Sequence, residues 1–259
     1  MWEKEFLTAR EAAEEAGRIL SNMLGRVSHV VKKGDIDLVT EADLGAEKAI
    51  LKKIRENFPE DIILSEETGK HGETSDRVWL VDPLDGTTNF AHGFPFFAVS
   101  IALEVEGEIV IGIVDIPFLG ETFTAINGDG ARLNSRPIKT SKTRQLVESL
   151  LATGFPYNVH KKPEKVMELF EKMLVRAQGI RRPGSAAIDL CYVASGRIDG
   201  FWEQDLKPWD TAAGTIIVKE SGGKVSTYEG TPYDPYQKSI VAANPFIHDK
   251  MVAVLNNQE

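Results

Sequence analysis

The run Trp79-Leu80-Val81-Asp82-Pro83-Leu84-Asp85-Gly86-Thr87-Thr88-Asn89-Phe90 sets the tightest limit on what this chain folds into. Residues 78–81 read as a buried strand. Pro83 forbids its continuation at a central sheet position, because proline cannot donate to the ladder. Asp82 and Asp85 therefore emerge at the C-terminal edge of a strand, and Gly86 and Thr87 follow with free backbone amides. Carboxylates beside a bare amide turn suit a hard cation next to a phosphate. The same letters also fit a plain turn, since Asp-Pro and Asp-Gly are common turn dipeptides and Asp85 is able to cap a helix.

The chain has 259 residues, enough for one large domain or two modest ones and for a sizeable core. Cys191 is the single cysteine, so no intrachain disulfide forms and a cytoplasmic setting fits. It lies in an apolar stretch and reads as a core residue. The charged start, Met1 to Glu5, lacks the apolar segment of a signal peptide, and no apolar run reaches transmembrane length. A formal net charge of −9 disfavours a dedicated nucleic-acid binder but not a phosphate substrate, because cations gathered by acidic residues give a locally positive pocket.

Apolar periodicity predicts amphipathic helices over residues 3–24 and 41–57, separated by a polar loop at Lys32-Lys33-Gly34-Asp35. Residues 62–64 read as a short strand, and 70–76 as a polar, mobile stretch. Strands over 98–105 and 109–116 join through Glu106-Gly107-Glu108, and strands over 122–126 and 131–133 through Asn127-Gly128-Asp129-Gly130. The first half is thus two helices followed by a mostly antiparallel sheet. The second half alternates strand and helix, with strands near 149–153, 180, 200–203, 225 and 240–242. Its helices fall over 163–176, 186–195, 210–220 and 245–255, which suggests a second α/β unit. The expected division lies near residues 135–141, giving 1–138 and 139–259.

Acidic residues recur at element ends. Glu66 and Glu67 follow a short strand, Asp43 opens the second helix, Glu203 ends a strand, and Asp210 precedes an alanine-rich helix. Each has a structural alternative. Asp43 stands at capping-box spacing from Thr40, and Asp210 suits an N-cap. Glu66-Glu67 fits a solvated loop pair, and Glu203 a surface pair with Arg197 or Lys207. Taken together, Glu66, Asp82, Asp85 and Asp210 need cations if the fold gathers them, because two carboxylates about 4 Å apart repel by roughly 4 kcal/mol at an effective dielectric of 20. An all-oxygen set points to Mg²⁺ or Mn²⁺ rather than zinc. The five histidines show no ligand spacing, with His92 alone close to the motif. There is no P-loop and no G-x-S-x-G elbow.

Four blocks together resemble the inositol monophosphatases, within the lithium-sensitive, magnesium-dependent sugar phosphatase superfamily. They are Asp37-Leu38-Val39-Thr40-Glu41-Ala42-Asp43, the Trp79 to Phe90 run with Glu66-Glu67 upstream, Arg182-Pro183-Gly184-Ser185-Ala186-Ala187, and Trp209-Asp210-Thr211-Ala212-Ala213-Gly214. The Lys207-Pro208-Trp209-Asp210 wording is closest to bacterial and archaeal branches. The resemblance implies a layered αβαβα sandwich of the inositol monophosphatase and fructose-1,6-bisphosphatase type, usually a homodimer. It also implies two to three Mg²⁺ ions, with Mn²⁺ as a substitute. Glu66, Asp82 and the Leu84 carbonyl would hold the first ion, Asp82, Asp85 and Asp210 the second, and Glu66 would help hold a third. Asp43 and Thr87 would orient the attacking water, making them catalytic together with Glu66.

By the same resemblance the Gly86 and Thr87 amides would bind phosphate. Asp85, Gly184, Ser185, Ala186, Glu203 and Asp210 would contact a polyol. The implied reaction is metal-assisted hydrolysis of a small phosphorylated polyol, without direct nucleic-acid or membrane contact. Relatives also include enzymes that hydrolyse fructose 1,6-bisphosphate as well as inositol phosphates, and an accessory protein of ribosomal RNA transcription complexes. Both remain alternatives.

Overall fold

Side chains along the central strands alternate between two different cores, and that alternation fixes the layering. In a computed structural model describing residues 2–26, 30–32 and 38–257, Trp79, Val81, Val99, Ile101 and Ile113 face one apolar cluster. Leu80, Ala98, Ala102 and Val114 face another. A sheet covered on both faces needs near-continuous apolar strands, which is how these segments read. Residues 33–35 of the predicted polar loop, Asp37 of the first motif block and His29 lie outside the described residues.

Helix α1 (Glu3–Met23) is followed by a small antiparallel pair, β1 (Val30–Lys32) and β2 (Leu38–Thr40), and then by α2 (Glu41–Asn57). The large sheet is built from β3 (Ile62–Ser65), β4 (Gly69–His71), β5 (Arg77–Asp85), β6 (Ala98–Val105), β7 (Glu108–Ile116), β8 (Glu121–Ile126), β9 (Gly130–Leu133) and β10 (Arg136–Pro137). Its spatial order is β10-β9-β8-β7-β6-β5-β3-β4. All neighbours are antiparallel except β3 and β5. A short helix, α3 (Thr87–Ala91), follows β5 directly.

The smaller sheet contains β11 (Leu150–Thr153), β12 (Gly179–Arg181), β13 (Gly200–Gln204), β14 (Lys224–Ser226) and β15 (Ser239–Ala243), in the order β12-β11-β13-β15-β14. Helices α4 (Glu164–Leu174), α5 (Ala186–Ala194), α6 (Pro208–Glu220) and α7 (His248–Leu255) complete the chain. Helices α1 and α2 cover one face of the large sheet. Helices α5 and α6 lie between the two sheets, and α4 and α7 cover the far face of the small one. The result is the five-layer αβαβα sandwich that the resemblance implies. Close packing in the middle layer depends on small residues. A Cβ on Gly112 would lie 2.6 Å from the Ala213 carbonyl oxygen, and one on Gly214 2.6 Å from Leu190 Cβ.

Two local expectations change. Lys70 and His71, the start of the stretch read as mobile, instead pair antiparallel with β3 as part of Gly69–His71. The strand carrying the motif also continues through Pro83. Asp82 pairs with Ser100 and Asp85 with Ala98, so two residues of β5 stand opposite one of β6. That is a β-bulge, the one place where a central strand tolerates proline. Cys191 is a buried, free thiol, as its apolar surroundings predict. No helix among the described residues is long and apolar enough to cross a membrane.

Candidate active site

The bulge does more than accommodate Pro83. Residues three apart in a regular strand point to opposite faces. The extra residue reverses the phase: Leu80 faces the inter-sheet core, yet Leu84 faces the α1–α2 core. Asp82 and Asp85 consequently open into the same cleft, a cavity of about 480 Å³ between the ends of the two sheets. Gly86 then turns the chain with a φ of 96°, where a Cβ would also lie 3.0 Å from the Phe96 carbonyl oxygen, so glycine is required on both counts. Asp82 Oδ1 accepts the Leu84 N–H at 2.9 Å.

The other predicted residues arrive from separate layers. Glu66 lines the cleft from the turn after β3, and Asp210 from the first turn of α6. Asp210 is the third helical residue rather than the N-cap, and its Oδ2 accepts the Lys207 N–H at 2.7 Å. Ser185 is the N-cap of α5 and accepts the Ile188 N–H. Its hydroxyl donates to Asp85 Oδ2 at 2.7 Å, as does the Ala187 N–H at 2.7 Å. Asn89 ties the α3 turn to α5's leading loop by donating to the Pro183 carbonyl at 2.9 Å. Gly184 and Ala186 complete this wall.

Asp43 fulfils both of its possible roles. Its Oδ2 accepts the Thr40 N–H at 2.8 Å and the Thr40 hydroxyl, closing a capping box. Its Oδ1 accepts the Thr87 hydroxyl at 3.1 Å, and the same hydroxyl also lies 3.0 Å from the Leu84 carbonyl oxygen. One hydroxyl proton cannot fully serve both acceptors, so its direction is set by what else engages Leu84. Burial raises the Asp43 pKa, against the Thr40 and Thr87 hydrogen bonds that lower it.

Glu203 is not the surface partner of Arg197 or Lys207. Arg197 pairs with Glu121 at 2.6 Å, and Glu203 is buried in the cleft wall. It fits only because residue 154 is glycine, where a Cβ would meet Glu203 Oε2 at 2.1 Å. His92 ends α3 and is not among the cleft-lining side chains.

Sequence reasoning missed Asp189. It is buried against the same cleft, and its Oδ1 has no hydrogen-bond partner among the described residues. The missed signal was one charged residue in an otherwise apolar helix, since lone buried acids require a reason.

The electrostatics show what the cleft lacks. Burial raises the Asp82 carboxyl well above the ordinary range, and Glu66, Asp85 and Asp210 push it further. Asp210 is raised well above it too, first by burial and then by Asp85. Burial lifts Asp85 to about 6, despite the Ser185 and Ala187 hydrogen bonds. Glu203 reaches about 8, again through burial, opposed by the charge of Arg182.

Carboxylates that repel one another in a desolvated cleft fit hard divalent cations. They share the cleft rather than one tight coordination sphere: among the described residues, no group of three or more His, Cys, Asp or Glu side chains forms a ready-made ion cage.

The family model described as "Inositol monophosphatase family" matches residues 2–259. The chain belongs to that family. An inositol-1-monophosphatase from Synechocystis is 45% identical over 249 residues, covering 95% of this chain and 87% of the relative. A Salmonella typhimurium protein named Nus factor SuhB is 40% identical over 253 residues, covering 96% and 95%. The solved structure of extragenic suppressor protein SuhB from Bartonella henselae superposes with a TM-score of 0.92 at 43% identity, covering 97% of this chain and 98% of that one. Membership in the inositol monophosphatase family indicates a phosphatase hydrolase, and the family is metal-dependent.

Proposed function

We propose that the protein is a Mg²⁺-dependent phosphomonoesterase that hydrolyses myo-inositol monophosphates to inositol and phosphate. The observation that carries this reading is the bulge at Pro83, which turns Asp82 and Asp85 into one cleft with Glu66 and Asp210 and leaves Gly86 and Thr87 at its floor. Glu66, Asp82, the Leu84 carbonyl, Asp85 and Asp210 would hold the ions. When bound, the ions supply an activated water and charge neutralisation at the phosphoryl and leaving-group oxygens.

The chain's own groups do the positioning. The Thr87 hydroxyl donates its proton to Asp43, which leaves an oxygen lone pair to accept a proton of the attacking water and hold it in line with phosphorus. Asp43 is itself held by Thr40, so this chain of hydrogen bonds ends on the α2 backbone. The Gly86 and Thr87 amides face the phosphate. Asp85, the Gly184-Ser185-Ala186 wall and Glu203 face the polyol hydroxyls, where acids accept hydrogen bonds from a sugar ring. Turnover of inositol 1-phosphate that requires Mg²⁺ and is blocked by Li⁺ supports the reading; absence of any phosphate release overturns it.

Two observations favour wider readings. Arg182 lines the polyol end, with its guanidinium 5.6 Å over the Phe155 ring, and offers a cation to a second phosphate. Release of the 1-phosphate from fructose 1,6-bisphosphate at a comparable rate would make the enzyme dual-purpose. The resemblance also leaves open a role as an accessory protein in a transcription complex, and one relative from Salmonella typhimurium is named Nus factor SuhB. Cellular function retained by Asp82→Asn would favour that role over catalysis. A cytoplasmic homodimer is part of the proposal, and equilibrium sedimentation tests the dimer.

A further inference from the structure

Asp43 and Glu47 stand four residues apart on α2, so they occupy the same face one turn apart. Both are almost fully buried, with 1% and 2% of their surface exposed. Asp43 reaches the Thr87 hydroxyl on one side of the cleft. Glu47 reaches in a different direction, to the turn that carries Glu66. Its Oε1 accepts the Ser65 hydroxyl at 2.5 Å, the Thr68 N–H at 3.1 Å and the Thr68 hydroxyl at 3.1 Å. One carboxylate oxygen therefore ties the residue just before Glu66-Glu67 to the residue just after them. The Glu66 N–H adds a third tie, donating to the Val81 carbonyl at 3.1 Å, next to Asp82.

We propose that Glu47 is a positioning residue for Glu66: it holds the 65–68 turn so that Glu66 faces the cations of the proposed phosphatase site. A buried carboxylate is costly to the fold unless it is well supplied with donors, and Glu47 gathers its donors from the two feet of the turn, not from its own helix. That places the cost where it fixes the approach of a candidate ligand. Residues standing behind ligands in this way typically change metal affinity by about 10- to 100-fold when removed. Helix α2 would then align both halves of the site from one rigid face, Asp43 for the water and Glu47 for the metal.

This inference rests on the metal-dependent reading of the site, and the test separates the two. Mn²⁺ binding to the full-length protein is titrated by electron paramagnetic resonance, without substrate, for wild type, Glu47→Leu, Glu47→Gln and Thr68→Ala. Circular dichroism and melting in EDTA are recorded alongside. Glu47→Leu, which removes the acceptor, is expected to raise the Mn²⁺ Kd about 10- to 100-fold with a native spectrum. Glu47→Gln keeps an acceptor oxygen and is expected to restore most of the affinity. In steady-state assays the Glu47→Leu defect is expected to be largely repaired at saturating Mg²⁺.

A Kd within twofold of wild type in folded Glu47→Leu would overturn the proposal. If Glu47→Leu does not fold, Thr68→Ala decides: it is expected to weaken Mn²⁺ in the same direction, and an unchanged Kd overturns the proposal. Wild-type protein that binds no Mn²⁺ overturns the metal-dependent reading itself, and this inference with it.

Discussion

Two pairs of buried acids flank the cleft, and they are treated in opposite ways. On α2, Asp43 and Glu47 are surrounded by donors: Asp43 takes the Thr40 N–H and hydroxyl and the Thr87 hydroxyl, and Glu47 takes Ser65 and Thr68. On the small-sheet side, Asp189 keeps an oxygen without any partner among the described residues. Glu203 is raised to about 8 by burial, with Arg182 as the opposing charge. The first pair is scaffolding, satisfied before any ligand arrives. Asp189 retains unused hydrogen-bonding capacity, which a polyol hydroxyl would take up under the proposed reading. Under that reading, the first pair would pre-set the catalytic side and the second would be completed by substrate.

The largest effect expected from breaking this arrangement lies between the two walls. Under the proposed reading, Asp82→Asn or Asp210→Asn should lower phosphatase turnover by at least about 10²-fold, since either removes a charge that bound cations would need. Melting temperature in EDTA should hold or rise, because burial and like charges already disfavour the ionised forms. Near-normal rates would remove both residues from the site. Next comes Gly154→Ala, which puts a methyl 2.1 Å from Glu203 Oε2 and must displace that side chain. The KM for inositol 1-phosphate should rise about tenfold, equivalent to about 1.4 kcal/mol of lost binding, with a smaller change for p-nitrophenyl phosphate. Equal changes for both esters would show that Glu203 does not select the polyol.

A pH series sharpens the same comparison. Asp85 and Glu203 have folded pKa values raised to about 6 and about 8, so the folded protein holds protons that the unfolded chain has released. Their contribution to stability is complete below the ordinary carboxylate range and is lost as pH rises through those values. Metal-free protein should therefore lose stability, on the order of a few kcal/mol, between about pH 4 and pH 8. Glu203→Gln should flatten the upper part of the curve. Denaturant melts at fixed pH check both, and a curve that rises over that range would contradict the burial argument. The smallest effect belongs to the satisfied wall: Thr40→Val removes an N-cap and should cost about 1 kcal/mol of stability.

Much of this arrangement was legible in the sequence, and the reasons are local. Apolar periods gave α1, α2 and the longer strands of both sheets, though not the short edge strands β4 and β10, because sheets covered on both faces demand long apolar runs. The Asp-Pro-Leu-Asp-Gly block marked the cleft, because Pro83 and Gly86 each impose a backbone requirement that few sites meet. Three features depended on tertiary contacts. The sequence shows a proline that interrupts a strand but not that a bulge absorbs it and rotates Asp85 into the cleft. The surface alternative for Glu203 could not be dismissed from sequence, because the glycine that makes room for its carboxylate lies 49 positions earlier, at the exit of the neighbouring strand β11. Nothing in the sequence distinguishes Glu47 from other helical acids, since its donors come from Ser65 and Thr68 on another element.

The most direct measurement is phosphate release from inositol 1-phosphate by wild type and Asp82→Asn, each with and without Mg²⁺. If the acidic cleft is the catalytic centre, wild type turns over only with Mg²⁺ and Asp82→Asn is inactive while melting at or above the wild-type temperature. Metal-independent turnover, or full activity in a folded Asp82→Asn protein, would contradict it.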